Sequence, residues 1–227
     1  MKKLSSFLKI YLLFTLFISC KSYSQLPEGF GYILNEIPTI ETELRYFGEN
    51  NFIGKPIEGY RKPVLIVSSK AIIQLKKVQN DLQKQNLGLK VFDAYRPQRA
   101  VNHFVRWAKE LNDTIQKSSY YPNVEKRNLF KEGYIASKSG HTRGSTLDLT
   151  IINLKTKEEL DMGSPYDFFG KESWVNHQNL TYKQKENRQL LQQTMLKHNF
   201  RNYPQEWWHF SLRNEPFPNT YFDFPVE

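Results

Sequence analysis

The sequence predicts a single domain of the α+β class, in which helices and strands follow one another along the chain. Apolar residues recur at helical spacing in segments that begin near Ser69 and Pro97, and again from Glu186 to His198. Apolar runs typical of buried strands span Leu89 to Asp93 and Glu206 to Leu212. The 227 residues contain no internal repeat and no second domain boundary, so one core is expected to account for them.

The N-terminus is typical of a targeting segment. Residues 1–24 contain four lysines and no acidic residue, and Ile10 to Ile18 is an apolar run of nine residues, which is too short to span a bilayer. We therefore predict a signal segment over residues 1–24 and a folded domain over residues 25–227. The domain is expected outside the cytoplasm, either in the periplasm or anchored to the membrane that faces it.

Two processing routes fit the end of this segment. Ser22 to Ser24 forms a small-x-small site for ordinary signal peptidase, which would release a chain that begins at Gln25. The stretch that ends in Cys20 resembles a lipobox, in which residues 1–19 are removed and Cys20 carries a lipid anchor. Cys20 is the only cysteine, so no disulfide can form within the chain, and its stability must come from the core and from any bound metal.

The charge of the chain gives little support to a nucleic-acid partner. The formal net charge is +9, but the residues after the predicted signal segment carry 28 basic and 23 acidic groups, a surplus of only five. No basic run is interleaved with aromatic residues, as single-strand binding would require. An anionic substrate or an anionic cell-wall environment fits the surplus equally well.

The segment from Ser139 to Asp148 contains the first candidate metal ligands. His141 and Asp148 lie seven residues apart with glycines around the histidine, and an apolar run begins at Leu149. This pattern predicts a tight loop that carries His141, followed by a buried strand that carries Asp148. Imidazole and carboxylate are ligands of zinc, and a buried carboxylate needs a partner.

Glu206 and His209 near the C-terminus offer a third ligand and a base. On a strand, side chains three apart face opposite sides unless a bulge intervenes, whereas on a helix they lie together. The flanking aromatic residues favour a strand. In either case His141, Asp148 and His209 can hold a zinc ion with one position open for water, whose pKa the metal brings close to neutrality. Glu206 can then take the proton of the water and pass it to a leaving amine.

Arg96 follows a predicted strand and precedes a proline that fixes the turn. A guanidinium held beside a metal would stabilise the oxyanion formed during amide hydrolysis. Each residue alone also has a structural interpretation: Arg96 as a turn cap, His141 as a core residue, Asp167 as a turn residue and Tyr46 as packing. The combination is much less probable by accident than any of its members.

The segments Ser139 to Asp148 and Glu206 to His209 resemble the zinc D-alanyl-D-alanine peptidases. They resemble more narrowly the D-alanyl-D-alanine dipeptidase branch, which is known for its role in vancomycin resistance. The resemblance extends over about residues 40–212. Within it, three further segments are similar to motifs of that branch: Leu44 to Tyr46, Asp93 to Pro97 and Met162 to Asp167.

The resemblance implies a compact α+β domain with a central antiparallel sheet, flanking helices and a narrow cavity that accepts a small D,D-dipeptide. It implies one zinc ion per chain and assigns a role to each candidate residue. The zinc ligands would be His141, Asp148 and His209, and the base would be Glu206. Arg96 would stabilise the transition state. Asp167 and Tyr46 would bind the substrate ammonium, and Ser139 would lie near the substrate carboxylate.

Two departures from the family qualify these expectations. Thr146 stands where the family usually has alanine, which is a small change on a packed strand. The signal segment matters more, because a resistance dipeptidase works in the cytoplasm and an exported enzyme would instead turn over peptides of the cell wall. A carboxypeptidase or endopeptidase acting on longer peptidoglycan peptides is one alternative, and a non-catalytic peptidoglycan-binding lipoprotein is another.

Overall fold

The computed structural model describes residues 26–227 and has the predicted α+β architecture. The signal segment, the lipobox and Cys20 lie outside the described residues, so those expectations stay predictions. Within residues 26–227, no helix combines the length and the apolar character needed to cross a bilayer.

Seven strands and five helices alternate along the described chain. The strands are β1 (Phe30–Tyr32), β2 (Glu41–Thr42), β3 (Ile66–Ser68), β4 (Leu87–Asp93), β5 (Thr146–Asn153), β6 (Phe200–Tyr203) and β7 (Glu206–Leu212). The helices are α1 (Ile33–Glu36), α2 (Ser69–Gln83), α3 (Gln98–Lys109), α4 (Lys117–Tyr120) and α5 (Tyr182–Lys197). Short 3-10 turns lie at Arg45–Phe47, Lys126–Asn128, His141–Arg143 and Lys171–Ser173.

The central sheet has five strands in the order β2-β4-β5-β7-β6. The pairs β4–β5, β5–β7 and β6–β7 are antiparallel, as the resemblance implies, while the two-residue edge strand β2 pairs with β4 in parallel. Strands β1 and β3 form a separate antiparallel pair. Residues 26–62, which the sequence suggests are an irregular arm, thus contribute β1, α1 and β2 in addition to loops.

Helices α2 and α3 begin where the sequence predicts. The Ser68 side chain accepts a hydrogen bond from the Ala71 N–H and caps α2, and Pro97 occupies the position before α3. Helix α5 begins four residues earlier than predicted, because Thr181 and Gln184 form a capping box that precedes the apolar residues. The helical spacing of Leu190, Leu191, Met195 and Leu196 predicts that all four face inward, but Leu196 is 39% exposed.

Two apolar clusters form the core of the described chain. The first, the sheet–helix core, joins α2 and α5 to the strands and includes Leu75, Val78, Leu89, Leu149, Ile151, Leu191, Met195 and Trp207. The second, the aromatic core, surrounds α3 and includes Phe30, Tyr46, Phe52, Tyr60, Tyr95, Phe104, Trp107 and Phe169. Alternation along β5 sends Leu147, Leu149 and Ile151 to the sheet–helix core. The side chain of Asp148 therefore points to the opposite face.

The last fifteen residues, 213–227, form a C-terminal strap over the aromatic core. Phe217, Phe222 and Phe224 pack against that cluster, and Val226 pairs with Tyr60. The Phe222 N–H donates to the Thr142 carbonyl at 3.0 Å, next to the predicted ligand His141. The strap thus fixes the turn that carries His141.

Candidate metal centre and substrate cavity

Three neighbouring strands place Asp93, Asp148 and His209 in one row. Asp148 of β5 lies directly opposite Asp93 of β4 on one side and His209 of β7 on the other. Side chains directly opposite each other across strands share a face of the sheet. The register of β4 shifts between Val91 and Asp93, and this bulge brings the Asp93 carboxylate into the row.

His141 reaches the same point from the turn before β5. The turn His141–Arg143 ends at Gly144, which has a left-handed φ of 80°. A Cβ atom at Gly144 would also lie 2.2 Å from the Phe30 ring, so only glycine fits there. The His141 Nδ1 atom lies 2.7 Å from the Ala94 carbonyl oxygen. Because a carbonyl only accepts, Nδ1 carries the proton and Nε2 presents its lone pair to the row.

The ligand atoms of His141, Asp148 and His209 lie within 4.8 Å of one another. Asp148 Oδ1 is 3.2 Å from His141 Nε2 and 3.0 Å from His209 Nδ1, and these two nitrogens are 3.3 Å apart. Despite these short distances, Oδ1 is buried and has no well-oriented hydrogen-bond donor among the described residues. An unpaired buried oxygen between two imidazole nitrogens fits a shared cation, and the donor set suits zinc.

The charges around this point also favour a cation. Burial alone would raise the pKa of Asp148, but the two histidines hold it well below its usual value. Burial lowers the pKa of His209, yet the Asp148 and Glu206 carboxylates prevail and raise it to about 9. The two carboxylates thus favour positive charge at this point, as they would favour a bound metal cation.

Glu206 lies beside His209 although both belong to one strand. The pairing of β6 with β7 is irregular, since Asn202 pairs with Phe210 while Tyr203 pairs with Glu206. This irregularity brings Glu206 Oε2 to 3.3 Å from His209 Nδ1. A regular pleat would have separated them, so the bulge considered from the sequence is the arrangement found.

Arg96 is held between two carboxylates of the row. Its Nε atom donates to Asp93 Oδ2 at 2.9 Å, and its Nη2 atom lies 3.4 Å from Asp148 Oδ2. Tyr60 donates to the second oxygen of Asp93 at 2.7 Å. The guanidinium also lies 5.0 Å from the centre of the Tyr46 ring. These contacts fix a cation next to the predicted ligands.

Asp167 and Tyr46 form the opposite end of the site. The Tyr46 hydroxyl donates to Asp167 Oδ2 at 2.8 Å, and both residues are buried. Asp167 has a φ of 60°, a conformation that aspartate tolerates better than most side chains. Burial and then the Asp148 charge raise the pKa of Asp167 well above its usual value. A buried carboxylate of this kind is stabilised by a bound cation.

One cavity of about 410 Å³ extends from the candidate metal ligands to Asp167 and Tyr46. This volume falls within the range of small-molecule sites, about 300–1,000 Å³. Ser139 lines the cavity, and its hydroxyl accepts a hydrogen bond from the His141 N–H at 3.3 Å. Lys138, Arg143 and Arg201 contribute cationic groups to the wall.

Every site residue predicted from the sequence lines this cavity: Tyr46, Arg96, Ser139, His141, Asp148, Asp167, Glu206 and His209. Asp93 and Tyr166, which contact these residues, were not among the candidates. Asp93 lies three residues before Arg96 at the end of a strand, a spacing that could have indicated an ion pair. Tyr166 lies in a loop without periodicity, where no sequence signal indicates its direction.

The chain is similar over most of its length to proteins named D-alanyl-D-alanine dipeptidase. The sequence profile of a peptidase family described as D-ala-D-ala dipeptidase matches residues 31–227. The D-alanyl-D-alanine dipeptidase of Enterococcus faecium is 38% identical over 199 residues, which cover 88% of this chain and 98% of that protein. The enzymes of the same name from Enterococcus faecalis and Streptomyces coelicolor are 37% and 36% identical, over 88% and 87% of this chain and 100% and 98% of their own lengths.

Proposed function

The chain belongs to the D-alanyl-D-alanine dipeptidase family of metallopeptidases, and on this premise we propose that it hydrolyses D-alanyl-D-alanine to free D-alanine with the aid of zinc. The observation that supports this most is the convergence of His141, Asp148 and His209 on one point, at the wall of a cavity that ends in Asp167 and Tyr46. Those three side chains would hold the ion.

Glu206 is the base in this proposal. A zinc ion at the site would act as a Lewis acid and bring the pKa of a water molecule close to neutrality. The Glu206 carboxylate lies at the cavity wall beside His209, where its oxygen can take a proton from the attacking water. The same oxygen then delivers the proton to the nitrogen of the leaving D-alanine.

Arg96 stabilises the negative charge that develops on the carbonyl oxygen of the substrate. Its guanidinium is already oriented by Asp93, so it needs no rearrangement when the charge appears. Asp93 is fixed in turn by the hydroxyl of Tyr60. The row of side chains thus provides a cation whose position is set before the substrate binds.

Asp167 and Tyr46 determine which substrates fit. A free α-ammonium can pair with the Asp167 carboxylate and contact the Tyr46 hydroxyl, and this pairing offsets the desolvation of Asp167. A longer peptide has an uncharged amide in place of the ammonium and would leave the buried carboxylate unpaired. This is why we favour a free dipeptide over a pentapeptide, with Ser139 near the carboxylate end of the substrate.

The release of D-alanine from two substrates tests the proposal. Purified zinc-loaded protein should hydrolyse D-alanyl-D-alanine and leave a pentapeptide that ends in D-alanyl-D-alanine intact. Glu206→Gln should lower kcat by about 10³-fold, since general bases contribute about 10²–10⁴-fold. Turnover of the pentapeptide alone would instead support a carboxypeptidase, and no turnover of either substrate would support a binding protein.

We further propose that the enzyme acts outside the cytoplasm on peptides released from the cell wall. Residues 1–24 support this with their lysines and short apolar run. Cell fractionation should find the protein in the periplasm or at the membrane, and a cytoplasmic location would refute the proposal. Cys20→Ser distinguishes the two processing routes, because it releases the protein from the membrane only where Cys20 is lipidated.

A further inference from the structure

We propose that Tyr166 is a positioning residue, which transmits occupation of the ammonium site at Asp167 and Tyr46 to the metal ligand Asp148 through one chain of hydrogen bonds. The inference rests on the proposed function, because it assumes a ligand with a free ammonium and a metal at Asp148. It concerns a residue that lies within one of the sequence motifs, Met162 to Asp167, but to which neither the motif nor the proposed mechanism assigns a role.

The hydrogen-bond chain consists of four oxygen atoms in a row. Asp167 Oδ2 lies 2.8 Å from the Tyr46 hydroxyl, which lies 3.2 Å from the Tyr166 hydroxyl. The Tyr166 hydroxyl lies 3.1 Å from Asp148 Oδ2. All four residues are at most 6% exposed, so bulk water has little access to these oxygens.

The two ends of the hydrogen-bond chain have different roles. Asp167 faces the cavity, where the ammonium is expected. Asp148 uses Oδ1 toward the two histidines and Oδ2 toward Tyr166 and Arg96. A hydrogen bond to Oδ2 therefore orients the carboxylate without competing for the atom that faces the metal.

The hydrogen-bond chain can respond to a ligand because it has fewer protons than contacts. Three oxygen–oxygen contacts are present, and when both carboxylates are ionised only the two tyrosine hydroxyls supply protons, one each. With Tyr46 donating to Asp167, the single proton of Tyr166 can go either to Tyr46 or to Asp148. Both contacts cannot be hydrogen bonds at the same time.

A bound ammonium removes this shortage. It can donate to Asp167 and to the Tyr46 oxygen, so the Tyr46 proton is free to turn toward Tyr166. The Tyr166 proton then has one acceptor left, Asp148 Oδ2. Occupation of the ammonium site thus completes the hydrogen bond on the metal ligand.

Packing holds the Tyr166 ring in the position that this chain requires. The Phe92 ring stacks on it with centroids 4.5 Å apart and an interplanar angle of 12°, and Trp208 contacts it edge-on at 5.4 Å. The loop of Tyr166 is anchored by Arg188 of α5, whose guanidinium donates to the carbonyls of Met162, Glu172 and Trp174. The hydroxyl consequently has little freedom to find other partners.

Zinc affinity, measured with and without dipeptide, tests the inference. We would use Glu206→Gln protein so that D-alanyl-D-alanine is not consumed, and determine the zinc dissociation constant by competition with a chromophoric chelator. The ratio of the constants without and with saturating dipeptide measures the coupling between the two sites. Tyr166→Phe removes only the hydroxyl and should lower this ratio by about tenfold, the smaller of the effects typical of groups that orient metal ligands.

Tyr121→Phe is the matched control. Tyr121 is as buried as Tyr166, but its hydroxyl has no hydrogen-bond partner within the part of the chain that the structure describes. The control should keep the ratio of the Glu206→Gln parent. An unchanged ratio in Tyr166→Phe, or an equal loss in both variants, would overturn the inference. Because zinc binding is the readout, failure of the proposed dipeptidase activity would appear separately, as absence of turnover in the wild-type protein.

Discussion

At the scale of single residues, Asp148 has two oxygens with different surroundings. Oδ1 lies between His141 and His209 and has no well-oriented donor within residues 26–227, while Oδ2 contacts Arg96 and Tyr166. One oxygen is therefore available to a metal and the other orients the group. A carboxamide at this position would keep the shape of the side chain but present a donor or a neutral oxygen where a charged ligand is needed.

Asp167 offers a prediction at this scale. Asp167→Asn keeps the size of the side chain but removes the charge expected to pair with the substrate ammonium. We expect kcat/KM for D-alanyl-D-alanine to fall about 100-fold, since removal of one partner from a buried charge pair costs about 3 kcal/mol. Initial-rate measurements over a range of dipeptide concentrations would show the loss.

The control for this change is Asp161→Asn in the same loop. Asp161 is exposed, bonds to Gln184 and does not line the cavity, so its replacement should change kcat/KM by less than a factor of about three. Equal losses in the two variants would indicate that the loop is disturbed as a whole. In that case Asp167 would not be the ammonium partner.

At the scale of elements, one carboxylate bridges the ends of α2 and α5 beside their apolar contact. Asp81 of α2 accepts hydrogen bonds from Lys197 and His198 at the end of α5 and from Lys84, which directly follows α2. The bonds from Lys197, then Lys84 and His198, hold the pKa of Asp81 well below its usual value. Lys84 and Lys197 also lie at the C-terminal ends of the two helices, where positive charge is favoured.

This shift predicts how the contact depends on pH. A carboxyl group whose pKa is lower in the folded protein stabilises the fold above its unfolded pKa, about 3.9, and loses that effect as pH falls toward the folded pKa. Asp81→Asn should therefore lower Tm at pH 7, and the difference from wild type should shrink at about pH 3. Thermal unfolding followed by circular dichroism at the two pH values checks this.

Glu36→Gln is a suitable comparison for Asp81→Asn. Glu36 of α1 has a longer and more exposed contact, 3.9 Å from the ammonium group of Lys76 in α2. Its loss should hardly change Tm at either pH, because exposed ion pairs contribute little. A Tm difference for Asp81→Asn that does not depend on pH would contradict the assigned pKa shift.

At the scale of the whole molecule, the candidate metal site joins parts of the chain that are far apart in sequence. Ligands come from the turn before β5, from β5 itself and from β7, and their neighbours come from β4 and from the loop that α5 anchors. An ion bound here would link these elements in the folded state only. Ligands that bind only the folded state stabilise it according to their concentration.

Zinc should consequently raise the thermal stability of the protein. A 1,000-fold excess over the dissociation constant corresponds to about 4 kcal/mol, or a rise in Tm of about 10 °C for a chain of this size. Differential scanning calorimetry with a chelator and then with added zinc would measure it. Asp148→Asn should lose most of the rise and Glu206→Gln should keep it, because Glu206 is not a proposed ligand. Equal shifts in both variants would place the ion elsewhere.

Much of the fold and of the site could be predicted because the residues concerned sit in strongly patterned segments. Helix α2, helix α3 and strand β7 have clear periodicity. Within each of the two motifs, His141 to Asp148 and Glu206 to His209, the candidate residues are close together in sequence. Helix α5 was predicted to start too late, because its first turn is exposed and is specified by the Thr181 capping box. The sequence from Phe200 to Pro204 suggests a turn, but it contains strand β6, whose four residues are too few to show alternation.

The sequence by itself determined the chemistry of this protein: two histidines and a carboxylate as candidate ligands, a glutamate beside them, and an arginine at a strand end. Only the tertiary structure decided how these groups meet. The register that aligns Asp93, Asp148 and His209, the irregular pairing that brings Glu206 to His209, and the direction of Tyr166 all depend on contacts between distant segments. The types of the functional residues can be read from the sequence itself. Strand register and side-chain direction depend instead on packing between segments that are far apart along the chain.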